Sequence, residues 1–427
     1  MIKKIKLGKY TNLFVNKDKK FKEIGFKINF KMPYSYEDIT AFNLLTIILR
    51  NSCKAYPTIS SVNQKMEELY GLQISFNFSY LNDLEILSIS GLTINPSYCE
   101  DKELLDKIFN HLHEIIYNPN VKNKKFDSKI FNIAKENVKT AISSFDDDKN
   151  QFIYNRLIEK LGENKEAISS HSCGDLQLLK KFNNGKLYKY YKKLLDAPFD
   201  VYISGDVTYK CAFDLVKKYL ICTNKKKYDF QVFKNMDSKF IKEEYFYQKV
   251  KQTKLAVVYS LPILFNNKKV YAARLFNYIL GGGSLTSKLS KSIREKEGLC
   301  YSIYSVYNSN YGYLVIFTGI SKNNVNHVLS KIQDEITLMA KGKISDTEID
   351  NAKQSFINDI ETIDDDIFAN LRLYDKYALI NENIDKSKLI KYYKKISKSE
   401  LQDIAKNLKI KTYVVLTSED SNEDKKI

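Results

Sequence analysis

Two side chains in the second half of the chain could bind and polarise a carbonyl group. Arg294 and Tyr301 lie on either side of Gly298, a residue type that lets a helix end and a strand begin. A fixed guanidinium can bind a peptide carbonyl or a carboxylate, and a phenol can donate a hydrogen bond to an oxyanion as it forms. The alternative interpretation is structural: an arginine that caps its own helix, and a tyrosine within an ordinary strand.

Three consecutive glycines, Gly281, Gly282 and Gly283, precede this pair. They follow a helix-like stretch at 270–280, where a C-terminal cap favours positive φ. Because three glycines exceed what one cap needs, the run predicts a mobile loop or the close approach of another backbone segment. A plain turn between helices is the other interpretation. A phosphate-binding loop is excluded, since no Gly-Lys-Ser/Thr sequence opens the next helix.

Histidines are scarce and poorly placed for a metal site. The four in the chain are His111, His113, His171 and His327. His111 and His113 stand at i and i+2, which face different sides of a helix. A catalytic zinc ion keeps three protein ligands and one open position. We therefore expect no zinc and no other cofactor in this chain.

The chain is strongly basic, with 68 Lys and Arg residues against 51 Asp and Glu and a net charge of +17. Only Arg50, Arg156, Arg274, Arg294 and Arg372 are arginines, and the lysines are spread along the whole length. Direct base readout depends heavily on the planar fork of arginine. A lysine-rich solvated surface is the favoured interpretation, so nucleic acid is not an expected partner.

No targeting or membrane-spanning segment is predicted. The longest apolar run, 255–265, has about half the ~20 residues that a membrane helix requires, so it is interpreted as a buried strand. The six cysteines include no C-x-x-C pair, which predicts free thiols and a cytoplasmic protein without membrane contact. Cys300 is interpreted as a buried small residue.

The two halves of the chain repeat one pattern. Glu67–Ser75 leads to Ile86–Leu92 in the first half, and Arg294–Ser302 leads to Leu314–Ile320 in the second. Each half closes with a lysine-rich helical stretch and a β-branched strand. We predict an α+β fold of two homologous domains, each a mainly antiparallel sheet packed with helices, related by internal duplication. The predicted bounds are 1–223 and 241–427, with a charged linker at 224–240.

Hydrophobic periodicity places the elements within each half. Ser35 with Asp38 is a capping-box-like start for the first helix. The predicted strands are 26–30, 73–80, 85–92, 199–205, 254–261, 301–307, 312–320 and 411–417. The predicted helices are 39–49, 60–69, 102–116, 128–144, 270–280 and 285–295.

The run Leu280–Ser305 closely resembles the second-domain signature of pitrilysin/insulinase-type zinc peptidases. That family holds zinc with an inverted His-x-x-Glu-His on the first helix of domain one and a later glutamate. Here the helix aligns as Phe42–Thr46, the distal ligand falls at or near Ala141, and the first histidine of the chain is His111. The resemblance therefore implies a family member whose zinc motif is lost. Leu69–Gly71 and Tyr56-Pro57 are similar to the non-catalytic subfamily associated with aminopentanol modification of elongation factor P.

The resemblance implies a non-catalytic, peptide-binding or scaffold subunit of a two-component metallopeptidase. Its partner would be a zinc-motif-bearing pitrilysin-type homologue, so zinc is expected in the partner subunit only. Arg294, Tyr301 and the glycines 281–283 would bind the peptide substrate near the partner's zinc. The peptide would add as a strand at a sheet edge. A homodimer is possible instead.

Two other classes of function stay open. The first is a peptidase or other hydrolase with unrecognised active-site residues, for which the sequence offers no convincing nucleophile–base pair. The second is a basic nucleic-acid-binding protein, for which there is neither an RNA-binding motif nor a cluster of arginines.

Overall fold

A computed structural model of the chain describes residues 2–163, 165–222, 228–236, 243–380, 382 and 385–419. These residues form two large sheets covered by helices, so the α+β prediction is confirmed. No helix in the described ranges is both long enough and apolar enough to cross a bilayer.

The strands of the first sheet come from the first half of the sequence. They are β1 (Lys3–Lys6), β2 (Asn12–Lys17), β3 (Glu23–Pro33), β4 (Gln73–Leu81), β5 (Leu84–Ile94) and β8 (Phe199–Gly205), with a separate hairpin of β6 (Val121–Lys122) and β7 (Lys125–Phe126). The strands of the second sheet are β9 (Glu244–Tyr247), β10 (Thr253–Ser260), β11 (Cys300–Asn308), β12 (Tyr313–Ile320) and β13 (Lys409–Thr417).

The helices lie between these strands along the chain, several of them in consecutive groups. Those of the first half are α1 (Tyr36–Asn51), α2 (Ile59–Glu68), α3 (Leu104–Tyr117), α4 (Ser128–Ser144), α5 (Lys149–Ile158), α6 (Leu176–Lys181), α7 (Asn184–Leu195) and α8 (Tyr209–Tyr219). Those of the second half are α9 (Val270–Asn277), α10 (Val325–Ala340), α11 (Asp346–Glu361), α12 (Ile367–Ala378), α13 (Lys386–Lys395) and α14 (Lys398–Asn407).

The two sheets share one strand order. The first runs β1-β2-β8-β3-β5-β4, and the second runs β9-β13-β10-β12-β11 when read from its opposite edge. Neighbours are antiparallel except for one pair in each sheet, β2 with β8 and β9 with β13. Apart from the additional strand β1, each strand of the first sheet therefore has a counterpart in the second. This correspondence agrees with the predicted internal duplication.

The chain divides into two compact units that do not coincide with its halves. Unit 1 consists of the described residues of Met1–Ser144, His171–Gln231 and Asp364–Leu379. Unit 2 consists of those of Phe145–Ser170, Val232–Ile363 and Ile380–Ile427. Each unit thus includes one helical segment from the other half of the sequence. Much of the predicted linker, 224–240, lies outside the described residues, so the predicted domain bounds stay a prediction.

The segment that unit 1 takes from the second half is α12, which lies on β3 and β8. Lys27 Nζ and Asn29 Nδ2 both donate to Asp375 Oδ2, at 2.7 and 2.8 Å. Leu371 packs beside the stacked rings of Phe14 and Tyr202, whose centroids are 4.7 Å apart. All residues of β8 are buried, because α12 covers the sheet face opposite the main core.

Helix α5 has the same role in unit 2, where it lies on β10 and β13. Phe152 contacts Phe246 edge to face, with ring centroids 5.7 Å apart, and Tyr154 lies 6.1 Å from Phe317. Lys160 pairs with Glu244 of β9 at 2.9 Å. Each sheet is therefore covered on its second face by a helix from the other half of the sequence.

A buried ionic cluster holds the start of α1. Ser35 is the N-cap, as predicted, but its side chain makes no capping hydrogen bond. Asp38 pairs instead with Lys193 of α7, and Glu85 accepts a hydrogen bond from the Ser35 backbone N–H at 2.8 Å. The predicted capping box is therefore wrong, because Asp38 points into this cluster.

Replacing Gly25 should loosen α12. A Cβ at this position would lie 2.2 Å from Ile367 Cγ2, so Gly25→Ala forces the helix away from β3. We expect the free energy of unfolding to fall by about 1–3 kcal/mol, as is typical of overpacking, together with faster amide exchange in α12. Gly185→Ala is the matched control, since its Cβ meets nothing closer than 3.6 Å in helix α7. Equal stability of the two variants would contradict close packing at Gly25.

The Glu85 carboxyl predicts a pH dependence of stability. Burial, with the neighbouring Asp38, raises its pKa from 4.5 to about 9. The folded state then binds a proton that the unfolded state releases, so this group's contribution to stability falls as pH rises from 4.5 toward 9. Glu85→Gln, a neutral isostere, should stabilise the protein at about pH 8 and change little at about pH 5 in urea unfolding. Glu37→Gln, at a side chain that is 52% exposed, is the control. A loss of stability in Glu85→Gln at the higher pH would show that the ionised carboxylate is the native form.

Candidate functional site

Tyr301 lies in an irregular part of an edge strand. The pairing of β11 with β12 shifts register between Cys300 and Ile303, which is a β-bulge. Bulges re-aim side chains and increase local twist. Tyr301 is 81% exposed as a result, the largest value among the exposed large apolar side chains of the described residues.

Arg294 lies beside this tyrosine on a helix with π geometry, Ser290–Lys296. Its guanidinium carbon is 5.6 Å from the centre of the Tyr301 ring, a distance typical of a cation–π contact. Gly298, at φ +63°, ends the helix, and its N–H donates to the Arg294 carbonyl at 3.1 Å. The structure therefore brings the two predicted residues together. The predicted regular helix 285–295 is wrong. The structure has a short 3₁₀ turn at Ser284–Thr286, which the π-helix follows.

Gly281 and Gly282 are helical, and Gly283 is the residue that follows the helix, with φ −86° and ψ 27°. Helix α9 continues as a π-helix, Tyr278–Gly282, and none of Gly281, Gly282 and Gly283 has positive φ. The predicted left-handed cap is therefore wrong. A Cβ on Gly281 would lie 2.7 Å from Ser305 Oγ and 2.9 Å from Ser305 N. The prediction that another backbone segment lies close to these glycines is confirmed, because Gly281 lets β11 lie directly against the helix.

An open cavity of about 570 Å³ adjoins the pair within unit 2. Lys251, Gln252 and Lys322 line it together with the backbone at Gly298 and Tyr301. Cys300, at its edge, is 8% exposed, and burial raises the pKa of its thiol. This matches the interpretation of Cys300 as a buried small residue, because a thiol with a raised pKa is a poor nucleophile at neutral pH.

Sequence reasoning missed the apolar side chains beyond the bulge. Tyr304 and Val306 are 43% and 49% exposed, while the intervening Ser305 is buried. The Tyr304 ring stacks on Phe317 of β12, with centroids 5.4 Å apart. In the sequence Tyr304 and Val306 flank the polar Ser305, an alternation that predicts a strand with an apolar face, but it does not indicate that this face is left uncovered.

The first helix does not fit a zinc ion. Phe42 is fully buried against Phe78, and Asn43 Nδ2 donates to the Ile39 and Ser172 carbonyls at 2.8 Å. Thr46 Oγ1 donates to the Asn43 carbonyl. Across the described ranges no group of three or more His, Cys, Asp and Glu side chains is arranged to hold a metal ion.

The histidines have other partners. His111 is buried against Tyr56, and burial lowers its pKa to about 4. His113 Nδ1 lies 2.8 Å from the Tyr219 carbonyl oxygen, and His327 Nε2 lies 3.0 Å from Glu297 Oε2. These contacts are consistent with structural roles.

Comparison with known proteins supports an inactive homologue of the M16 peptidases. Residues 181–356 match the family model for the peptidase M16 inactive domain. The chain is 27% identical over 395 residues to a probable inactive metalloprotease, YmfF, of Bacillus subtilis strain 168, covering 89% of this chain and 92% of that protein.

Solved structures show the same two-domain fold. A conserved protein from Enterococcus faecalis V583 matches with a TM-score of 0.91 and 26% identity, over 99% of each chain. A peptidase M16 inactive domain from Pseudomonas fluorescens matches with a TM-score of 0.80 and 14% identity, over 98% of this chain and 99% of that one. The fold is therefore M16-like, and the relatives support a non-catalytic peptidase homologue.

Alanine at each of the three glycines should separate close packing from a flexible turn. Gly281→Ala would clash with the backbone of Ser305, and Gly283→Ala would lie 2.8 Å from the Tyr278 carbonyl oxygen. Each should lower the free energy of unfolding by about 1–3 kcal/mol, measured by chemical denaturation. Gly185→Ala is the control, because its Cβ would meet nothing closer than 3.6 Å; at Gly282 the nearest group is the Asn277 amide, which is itself hydrogen-bonded to Ser305, so Gly282→Ala should also destabilise the protein. A mobile loop would tolerate all three substitutions equally.

Proposed function

We propose that this chain is a non-catalytic subunit that binds an extended peptide at the edge of β11 and pairs with a zinc-bearing homologue that hydrolyses it. The observation that carries the proposal is the placement of Arg294 over the exposed Tyr301 at a bulged sheet edge. The inactive M16-like relatives agree with the absence of catalysis in this chain.

The backbone of β11 can accept another strand. In the described part of the chain β11 pairs with β12 alone, so the backbone N–H and C=O groups of its other edge pair with no strand, although the Ser305 carbonyl accepts from Asn277 Nδ2. An extended peptide can satisfy these groups as an added strand, while alternate side chains of the peptide contact the domain surface. Tyr304 and Val306 supply an apolar surface for those side chains.

Arg294 supplies the directional contact. No ion pair or hydrogen bond to its side chain is found among the described residues, although the Tyr301 ring holds the guanidinium in place. A planar guanidinium can donate two parallel hydrogen bonds to a carboxylate, or one to a peptide carbonyl. Tyr301 keeps its hydroxyl in solvent, where it can donate to the oxygen of a bound peptide.

A partner is proposed because hydrolysis needs groups that this site lacks. Zinc would polarise the scissile carbonyl and activate water, but α1 has neither histidine nor carboxylate at the positions that align with the motif. The resemblance at Leu69–Gly71 and Tyr56-Pro57 further suggests the subfamily associated with aminopentanol modification of elongation factor P. The cysteine pattern, without a C-x-x-C pair, suggests a cytoplasmic location.

The test uses the purified chain alone and mixed with a zinc-motif homologue from the same genome. We expect no stoichiometric zinc and no peptidase activity from the chain alone, and zinc-dependent activity from a 1:1 complex resolved by light scattering. Arg294→Ala should lower kcat/KM of the complex by roughly 10- to 100-fold, as loss of a charge-assisted hydrogen bond predicts, without dissociating the subunits. Arg372→Ala, which removes an exposed pair with Asp366, is the matched control.

Three outcomes would contradict the proposal. Chelator-sensitive activity with bound zinc in the isolated chain would show that it is a complete enzyme. A stable homodimer that does not exchange with the homologue would exclude the two-component complex. Unchanged steady-state kinetics in Arg294→Ala would remove Arg294 from peptide binding.

A further inference from the structure

Unit 1 contains a second cavity, of about 300 Å³, between α1, α2, α4 and β4. Its apolar wall is formed by Ile47, Ile59, Phe76 and Ile133. Ile133 is 40% exposed although it lies on a helix face next to the core, so part of this wall meets solvent. An apolar wall of this size can bury one aliphatic side chain of a ligand.

Arg50 and Asn137 line the same cavity from α1 and α4. Arg50 is exposed in the last turn of α1, and within the described residues no carboxylate, carbonyl or ring is found in contact with its guanidinium. The other arginines differ: Arg156 and Arg372 form ion pairs, and Arg274 and Arg294 lie on aromatic rings. Among the five arginines of the chain, Arg50 is thus the one whose guanidinium is left available within the described residues.

The charge balance of the cavity favours an anion. None of its lining residues is acidic, whereas Arg50 contributes a positive charge and Asn137 an exposed amide that can donate hydrogen bonds. A guanidinium fork beside an amide matches the planar geometry of a carboxylate. A carboxylate attached to an aliphatic side chain would satisfy both the polar rim and the apolar wall.

We propose that this cavity binds the C-terminal carboxylate of an extended peptide that ends in an aliphatic residue. The carboxylate accepts hydrogen bonds from Arg50 and Asn137, and the last side chain lies against Ile47, Phe76 and Ile133. The site is in unit 1, and it needs neither Arg294 nor a zinc-bearing partner. The inference therefore goes beyond the proposed function, and each of the two can be tested without the other.

The position of β4 identifies the ligand as a peptide. Phe76, which forms part of the apolar wall, belongs to β4, and β4 is the last strand of its sheet. In the described ranges β4 pairs with β5 alone, and its outward residues Gln73, Ser75 and Asn77 are exposed and polar. A peptide that adds to this edge pairs with the β4 backbone and places its terminus in the cavity. A small carboxylic acid could enter the cavity but could not pair with β4.

The experiment measures binding of labelled peptides to the full-length chain by fluorescence anisotropy. The probe is an N-terminally labelled peptide of about six residues, the length of a typical strand, ending in leucine, as the free acid and as the C-terminal amide. We expect the amide to bind roughly 10-fold to 100-fold more weakly, the value of a charged hydrogen bond. Arg50→Gln should remove this difference, and Asn137→Asp should weaken the free acid by repulsion.

Two control variants separate this site from the rest of the molecule. Lys54→Gln removes an exposed positive charge near the end of α1 that does not line the cavity, and Lys341→Gln removes an exposed positive charge from unit 2. Both should bind the free acid as the unmodified chain does. Arg50 and Asn137 are exposed, so their variants should keep the same unfolding midpoint.

Four results would overturn the inference. Equal binding of acid and amide would exclude a carboxylate site, and unchanged binding in Arg50→Gln would exclude this cavity. Loss of the difference between acid and amide in Arg294→Ala would place the carboxylate at the site in unit 2. Competition by N-acetyl-leucine as strong as that by the unlabelled peptide would exclude a contribution from the β4 edge.

Discussion

The requirement that shapes this molecule is the covering of two sheets on both faces. A central strand such as β8, buried along its whole length, is stable only when apolar layers lie on both sides. The helices that follow in sequence cover one face. The second face is covered by a helix from the other half of the chain, α12 in unit 1 and α5 in unit 2. Lys27 and Asn29 fix the first of these contacts, because both donate to one oxygen of the partly buried Asp375 carboxylate.

Departures from regular geometry are concentrated at the candidate site of unit 2. Two π-helices, a β-bulge and a left-handed glycine lie between Tyr278 and Ile303. Such features cost free energy, and they recur at binding sites, where they place side chains that regular elements could not. Here they allow β11 to lie against Gly281 while Tyr301 and Arg294 face outward. By contrast, the corresponding strand of unit 1, β4, pairs with β5 without any register shift.

Much of the fold could be predicted from the sequence, and the reasons differ between elements. The hairpin β4–β5 and the strands β10 and β12 have clear alternation or continuous apolar runs, so their bounds were predicted within a few residues. The strands β1, β2 and β9 were missed because they are short and their burial depends on distant partners. The exchange of α5 and α12 has no local signal, since an amphipathic helix does not record which sheet it covers. The pair of Arg294 and Tyr301 was found because arginine is scarce in this chain and because both residues lie in a run that resembles a family signature. The conformation of the glycines was predicted wrongly, because a left-handed cap and a close backbone contact both require glycine.

The exchanged helix also constrains how the protein can be made. The strands of the first sheet are complete once Gly205 has been synthesised, but the helix that covers their second face, α12, ends at Ala378. At typical rates of translation, about ten seconds or more separate these two events. During that interval Phe14 and Tyr202 present their stacked rings on an uncovered sheet face of the nascent chain. Such a face is a binding site for holdase chaperones, and a chain released before Ile367 is made would display it permanently to the cell's degradation machinery.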